Sequence, residues 1–124
     1  MDPVLLLQRM VEIPSLSGEE GPLAAFLVET MRSLGFHASI DQAGNAVGIL
    51  GDGSKEILLL GHMDTVFDDG TAAARPFHID GNRALGPGVS DMKGGLLGGL
   101  YATRALQDAG LDAFDRITFV CNPD

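Results

Sequence analysis

The chain has 124 residues, 45 % of them apolar, which is enough for one core without disulfide or metal staples. Its 17 acidic against 8 basic side chains give a formal charge of −9, which repels nucleic-acid phosphates and anionic lipid headgroups and argues against both as partners. Cys121 is the sole cysteine, so an internal disulfide and a cysteine-based zinc site are excluded.

From the amino terminus, MDPVLLLQRM carries an acid where a signal peptide carries positive charge, and no run approaches transmembrane length, so a cytoplasmic chain is expected. Asp2 is placed to cap a first helix with Pro3 in its first turn, and Leu6, Leu7, Met10 and Val11 recur at helical spacing until Pro14 ends it. Ser17 and Glu20 have the spacing of a capping box for a second helix, whose stripe is Leu23, Phe26, Leu27, Thr30, Met31 and Leu34 and whose stop is Gly35. Phe36, Ala38 and Ile40 alternate as a strand, Ala43-Gly44-Asn45 turns, and residues 46–50 form a second strand. Ile57-Leu58-Leu59-Leu60 reads as a strand buried on both faces. A small hairpin around Asp80-Gly81-Asn82 follows, then a helix over 93–109 and a last buried strand over 117–121. The alternation of helices and strands, with no linker or repeat, predicts one α/β unit.

The buried strand runs into Gly61-His62-Met63-Asp64. In extended chain a spacing of two puts both side chains on one side, where the carboxylate can hold one ring nitrogen of His62 and leave the other for a metal. An acid two residues after a histidine is expected by chance roughly 0.4 times in such a chain, so spacing alone is weak. His78-Ile79-Asp80 repeats it, yet there Asp80 serves a turn, and His37 fits a solvated strand position. His62 differs because it follows a strand at the edge where α/β proteins bind ligands. A buried hydrogen-bonded pair with no metal remains the alternative.

The stretch GPGVSDMKGG, residues 86–95, sets Asp91 between a glycine-rich turn and a helix start. Asp91 can cap that helix or hold a cation. A dinucleotide fingerprint fails because Asp91 stands where its third glycine belongs, and a P-loop fails because Gly94 follows Lys93 in place of Ser or Thr.

GHMDTVF, GPGVSDMKGG and a strand running into Asn122-Pro123-Asp124, with VEIPSLSGEEG and Gly44-Asn45 upstream, resemble the amino-terminal part of the M20 zinc metallopeptidases. The likeness is greatest to the carboxypeptidase G2 and acetylornithine deacetylase-like branch, and it extends over nearly the whole chain. It implies a catalytic domain built on a mixed, mostly parallel sheet flanked by helices, with residues 1–124 as its amino-terminal part and a smaller dimerisation domain elsewhere. It implies that His62 ligates one zinc ion, that Asp64 orients His62, that Asp91 bridges two zinc ions, and that the peptide bond from Asp91 to Met92 is cis. Cobalt or manganese are alternatives to zinc. In the family the aspartate matching Asp124 is followed by two glutamates, a general base and a metal ligand, so the chain is expected to be a fragment that lacks the base. The implied reaction is two-metal hydrolysis of peptides or N-acyl amino acids by a full-length homodimer. A non-catalytic α/β module that binds at most a metal or a partner is the competing class.

Overall fold

The computed structural model describes residues 2–67, 70–110 and 115–123. Helix α1 (Pro3–Glu12) opens as its sequence dictates: the Asp2 carboxylate accepts the backbone N–H groups of Val4 and Leu5 at 2.7 and 3.3 Å. Its buried stripe is Leu6, Leu7, Met10 and Val11. Helix α2 (Gly21–Ser33) buries Leu23, Ala24, Leu27, Val28 and Met31, but the expected capping box is not there. The Glu20 side chain turns back to accept the Gly18 N–H, Ser17 is engaged elsewhere, and α2 starts without a side-chain cap.

Strands β1 (His37–Ile40), β2 (Ala46–Gly51), β3 (Glu56–His62) and, late in the chain, β6 (Arg116–Asn122) form a four-stranded sheet in the order β1-β2-β6-β3. The loop from β1 to β2 is held by Asp41, whose carboxylate accepts the N–H groups of Ala43 and Asn45. β1 with β2 and β2 with β6 are antiparallel, and β6 with β3 is parallel. The sheet is mixed as expected, with antiparallel pairing the larger part among the described residues. Between β3 and β6 lie a short helix, α3 (Thr71–Ala74), the hairpin β4 (His78–Asp80) and β5 (Arg83–Leu85), and the long helix α4 (Gly94–Asp108). No helix among the described residues is long and apolar enough to cross a membrane.

One face of the sheet is the core: Ala46, Ile117, Phe119 and Cys121 cluster with Leu23 and Leu27 of α2, Leu96 and Leu100 of α4, and Met10 of α1. The other face corrects the expectation for residues 57–60. Ile57, Leu58 and Leu60 are 46, 58 and 64 % exposed, because β3 is the outermost strand and, of its residues beside β6, Leu58 and Leu60 point away from the helices. Four consecutive aliphatics require apolar surroundings on both sides, and within the described residues only one side is supplied.

Candidate metal centre

The parallel ladder between β3 and β6 ends at His62 opposite Asn122, and the Met63 N–H continues it to the Asn122 carbonyl at 2.8 Å. Beyond that point the chain stays extended because residues 15–17 run beside it: Thr65 N–H donates to the Ser15 carbonyl at 2.8 Å, and the Ser15 hydroxyl donates to the Met63 carbonyl at 2.8 Å. Leu16 and Thr65 form an isolated parallel bridge. Alternation then buries the Met63 side chain completely and sends His62 and Asp64 to the opposite side. Gly61 lets the ends of Leu96 and Met92 pack against the backbone just before them, since a Cβ there would stand 2.7 Å from Leu96 Cδ2 and 2.9 Å from Met92 Cε and would move those side chains.

His62 Nδ1 lies 3.0 Å from Asp64 Oδ1 and 3.1 Å from the Asp64 carbonyl oxygen. The other Asp64 oxygen accepts the Ser17 hydroxyl at 2.8 Å. On the far side of the ring, His62 Nε2 is 2.8 Å from Asp91 Oδ1. The Asp91 side chain is 79 % exposed and that of Asp64 12 %, so one carboxylate faces solvent and the other serves as a buried anchor. A cavity of about 160 Å³ opens beside them, bordered by His62, Asp64, Phe67, Ser90 and Asp91.

Asp91 reaches His62 from the turn Val89–Lys93. Gly88 at φ +84° starts that turn, and a Cβ there would strike Thr65 Cγ2 at 2.7 Å. The turn takes non-helical angles at Asp91 and Met92, the peptide bond between them is cis as expected, and Asp91 does not cap α4. Lys93 anchors the turn from below. It is 2 % exposed, and its Nζ donates to the Met10 and Ile13 carbonyls at 2.9 Å each, at the C-terminal end of α1. Burial pushes this ammonium down to about 8, which leaves it charged at neutral pH.

Electrostatics at His62 oppose one another. Burial works to lower its pKa and is the largest single influence, but the Asp91 hydrogen bond, the Asp64 carbonyl and the charges of both carboxylates together raise it above the ordinary value. Both ring nitrogens face oxygen, so the arrangement calls for a proton or a metal cation at Nε2. The donor set suits a zinc-type ion: an imidazole nitrogen with its other N–H held by a carboxylate, beside an exposed carboxylate. Among the described residues no group of three or more His, Cys, Asp or Glu is arranged to hold a metal ion, so Asp64 serves the imidazole and is not a further donor.

The structure thus brings together His62, Asp64 and Asp91 and keeps the other histidines apart. His78 sits exposed in β4 with its Nδ1 3.3 Å from the Pro76 carbonyl oxygen, and His37 is exposed in β1. Asp124, and with it the expected place of the general base, lies outside the described residues. Sequence reasoning missed Ser17 and Lys93. A usable signal for Ser17 was the alternation Ser15-x-Ser17, the pattern of a strand with one polar side.

Residues 58–124, more than half of the chain, match the family model described as peptidase family M20/M25/M40. Over 117 residues the chain is 45 % identical to a LysW-lysine hydrolase of Deinococcus radiodurans, covering 94 % of this chain and 30 % of that protein. Carboxypeptidase G2 of Pseudomonas sp. strain RS-16 is 36 % identical over 128 residues, covering 95 % of this chain and 31 % of that protein. The fold matches that of an M20 family metallo-carboxypeptidase from Sulfolobus solfataricus with a TM-score of 0.84 at 23 % identity, over 99 % of this chain and 31 % of the other. The chain spans about 30 % of the length of the two relatives.

Proposed function

This chain belongs to peptidase family M20/M25/M40, and from that premise we propose that it is the amino-terminal part of the catalytic domain of a zinc-dependent amidohydrolase. The substrates would be peptides, cleaved before a C-terminal amino acid, or N-acyl amino acids. The observation that carries the reading is the line Asp64, His62, Asp91, joined by contacts of 3.0 and 2.8 Å. Relatives named as a hydrolase and as a carboxypeptidase support the reaction class.

In this reading each residue has a separate task. Asp64 accepts the Nδ1 proton, which fixes the tautomer and leaves the lone pair of His62 on Nε2. Asp91 is exposed beside Nε2, and its carboxylate would hold the pair of divalent ions. Lys93 holds the turn that carries Asp91 against α1. A divalent ion bound there, zinc or else cobalt or manganese, supplies a Lewis acid that lowers the pKa of water and polarises an amide carbonyl. The proton acceptor would come from the acidic residues that follow the aspartate of this motif in the family pattern, and a paired subunit from a separate dimerisation domain.

The test uses the full-length gene product with N-acyl amino acids and glutamate-terminated dipeptides. Hydrolysis is expected to vanish on chelation, to return with zinc, and to be lost in His62→Ala and Asp91→Ala. A product that neither hydrolyses any of these nor binds a divalent ion would sink the proposal in favour of a non-catalytic module.

A further inference from the structure

We infer that Ser17 is a positioning residue of the metal centre: its hydroxyl locks the Asp64 carboxylate in the orientation that keeps the proton on His62 Nδ1 and presents Nε2 toward Asp91. The consequence for metal binding rests on the function proposed above, whereas the hold on Asp64 rests on geometry alone.

A carboxylate turns easily about its terminal torsion, and its two oxygens are equivalent until something distinguishes them. Here one oxygen faces His62 Nδ1 at 3.0 Å and the other accepts the Ser17 hydroxyl at 2.8 Å. Turning the group weakens both contacts at once, so the two donors fix one orientation. Asp64 is only 9 % exposed, which leaves little room for water to take over that task.

The hydroxyl itself is placed by backbone. Residues 15–17 are tied to 63–65 by the Ser15 carbonyl, the Ser15 hydroxyl and the bridge from Leu16 to Thr65, so Ser17 arrives at Asp64 already oriented. Its competing local role is not taken up: the spacing to Glu20 fits a cap for α2, yet the hydroxyl crosses 47 residues of sequence to Asp64. A neutral donor also suits the position chemically. A lysine or arginine there would neutralise Asp64 and remove the negative charge that makes His62 a better base, while a hydroxyl orients the carboxylate and leaves its charge in place.

The full-length protein should be compared with Ser17→Ala, Ser17→Thr, Ser15→Ala and Asp64→Asn. In chelator-treated protein carrying Asp91→Ala, which removes the competing acceptor at Nε2, and held above the pH of imidazole protonation, the ring nitrogen shifts of His62 by NMR should report one Nδ1–H tautomer, and the other substitutions are compared in the same background. Ser17→Ala should give a mixture, and Ser17→Thr, which keeps the hydroxyl, should restore the single form. Zinc affinity by competition with a chelating dye should fall about 3- to 10-fold in Ser17→Ala, less than the roughly 10- to 100-fold expected for loss of a carboxylate touching the ligand. Ser17→Ala leaves one oxygen of the buried Asp64 without its donor and Ser15→Ala strips a buried partner from the Met63 carbonyl, so both should melt lower than the parent without metal, but only Ser17→Ala should change the tautomer. An unchanged tautomer in Ser17→Ala, with a changed one in Asp64→Asn, overturns the inference. If His62→Ala and Asp91→Ala leave zinc affinity untouched, the metal reading fails separately, and the tautomer measurement still decides the role of Ser17.

Discussion

His62 has a carboxylate at each ring nitrogen, and the two have different consequences. Nδ1 lies 3.0 Å from the buried Asp64 and Nε2 2.8 Å from the exposed Asp91; in the proposed function the first would hold a proton and the second would face a cation. Asp64→Asn keeps the shape but can turn an NH₂ toward Nδ1, so metal affinity or activity of the full-length protein should fall roughly 10- to 100-fold with far-UV circular dichroism unchanged. His78→Ala, in the exposed hairpin, should leave both at the parental level, and equal damage from the two substitutions would contradict the assignment. Cys121 gives a pH prediction. It is 1 % exposed, and burial pushes its thiol up to about 12. The folded state therefore keeps the proton after the unfolded chain has released it. Stability from this group is whole below about pH 9 and is lost as pH rises from there toward 12. Denaturant midpoints across that range should fall less steeply in Cys121→Ala, and iodoacetamide at neutral pH should label the parent only on unfolding. Why His62, Asp64 and Asp91 were legible and Ser17 and Lys93 were not is a matter of range. His62 and Asp64 stand two residues apart, and Asp91, although 29 residues from His62, stands in a glycine-rich motif that the family resemblance picks out. The other two act on groups 47 and 83 residues away, which no local spacing encodes.

Helix α4 shows how packing decides against propensity within a single turn. Gly98 and Gly99 are adjacent and equally unfavourable as helix formers. A Cβ at Gly98 would meet nothing within 4 Å, but one at Gly99 would stand 2.6 Å from Phe119 Cε2 and 2.7 Å from its Cζ. Gly98→Ala should therefore stabilise by about 0.5–1 kcal/mol through backbone entropy. In Gly99→Ala a similar gain is outweighed by overpacking of about 1–3 kcal/mol, so its thermal midpoint should move down while that of Gly98→Ala moves up. Most elements could be read to within a residue or two, because Asp2, Pro3, Gly35 and Gly110 punctuate helices by chemistry that acts locally, but the short helix α3 was not anticipated. Two readings did not carry over. The capping box failed because Ser17 found a stronger, charged acceptor in Asp64. The burial of β3 failed because a run of aliphatics states what a strand requires on each face, not which strand lies next to it.

At the scale of the molecule, residues 1–124 taken by themselves should not hydrolyse N-acyl amino acids or glutamate-terminated dipeptides. Sites that keep zinc use three or four protein donors, and the described residues bring two, His62 Nε2 and Asp91. Zinc added to this polypeptide should leave on dialysis against a weak chelator, and turnover that disappears with His62→Ala would refute the donor count. The same polypeptide carries Leu58, Leu60 and Ile49 exposed on one sheet face, so light scattering should show association that Leu58→Lys with Leu60→Lys reduces. The strand order has a consequence in time. β2 and β3 are consecutive in the chain but do not pair; β6, made later, enters between them. On a ribosome adding about 5–20 residues per second, the roughly 60 residues that separate His62 from Asn122 correspond to about 3–12 s. In that interval β3 lacks the strand that flanks it among the described residues, so the parallel ladder that ends at His62 can close only after residue 122 has been made.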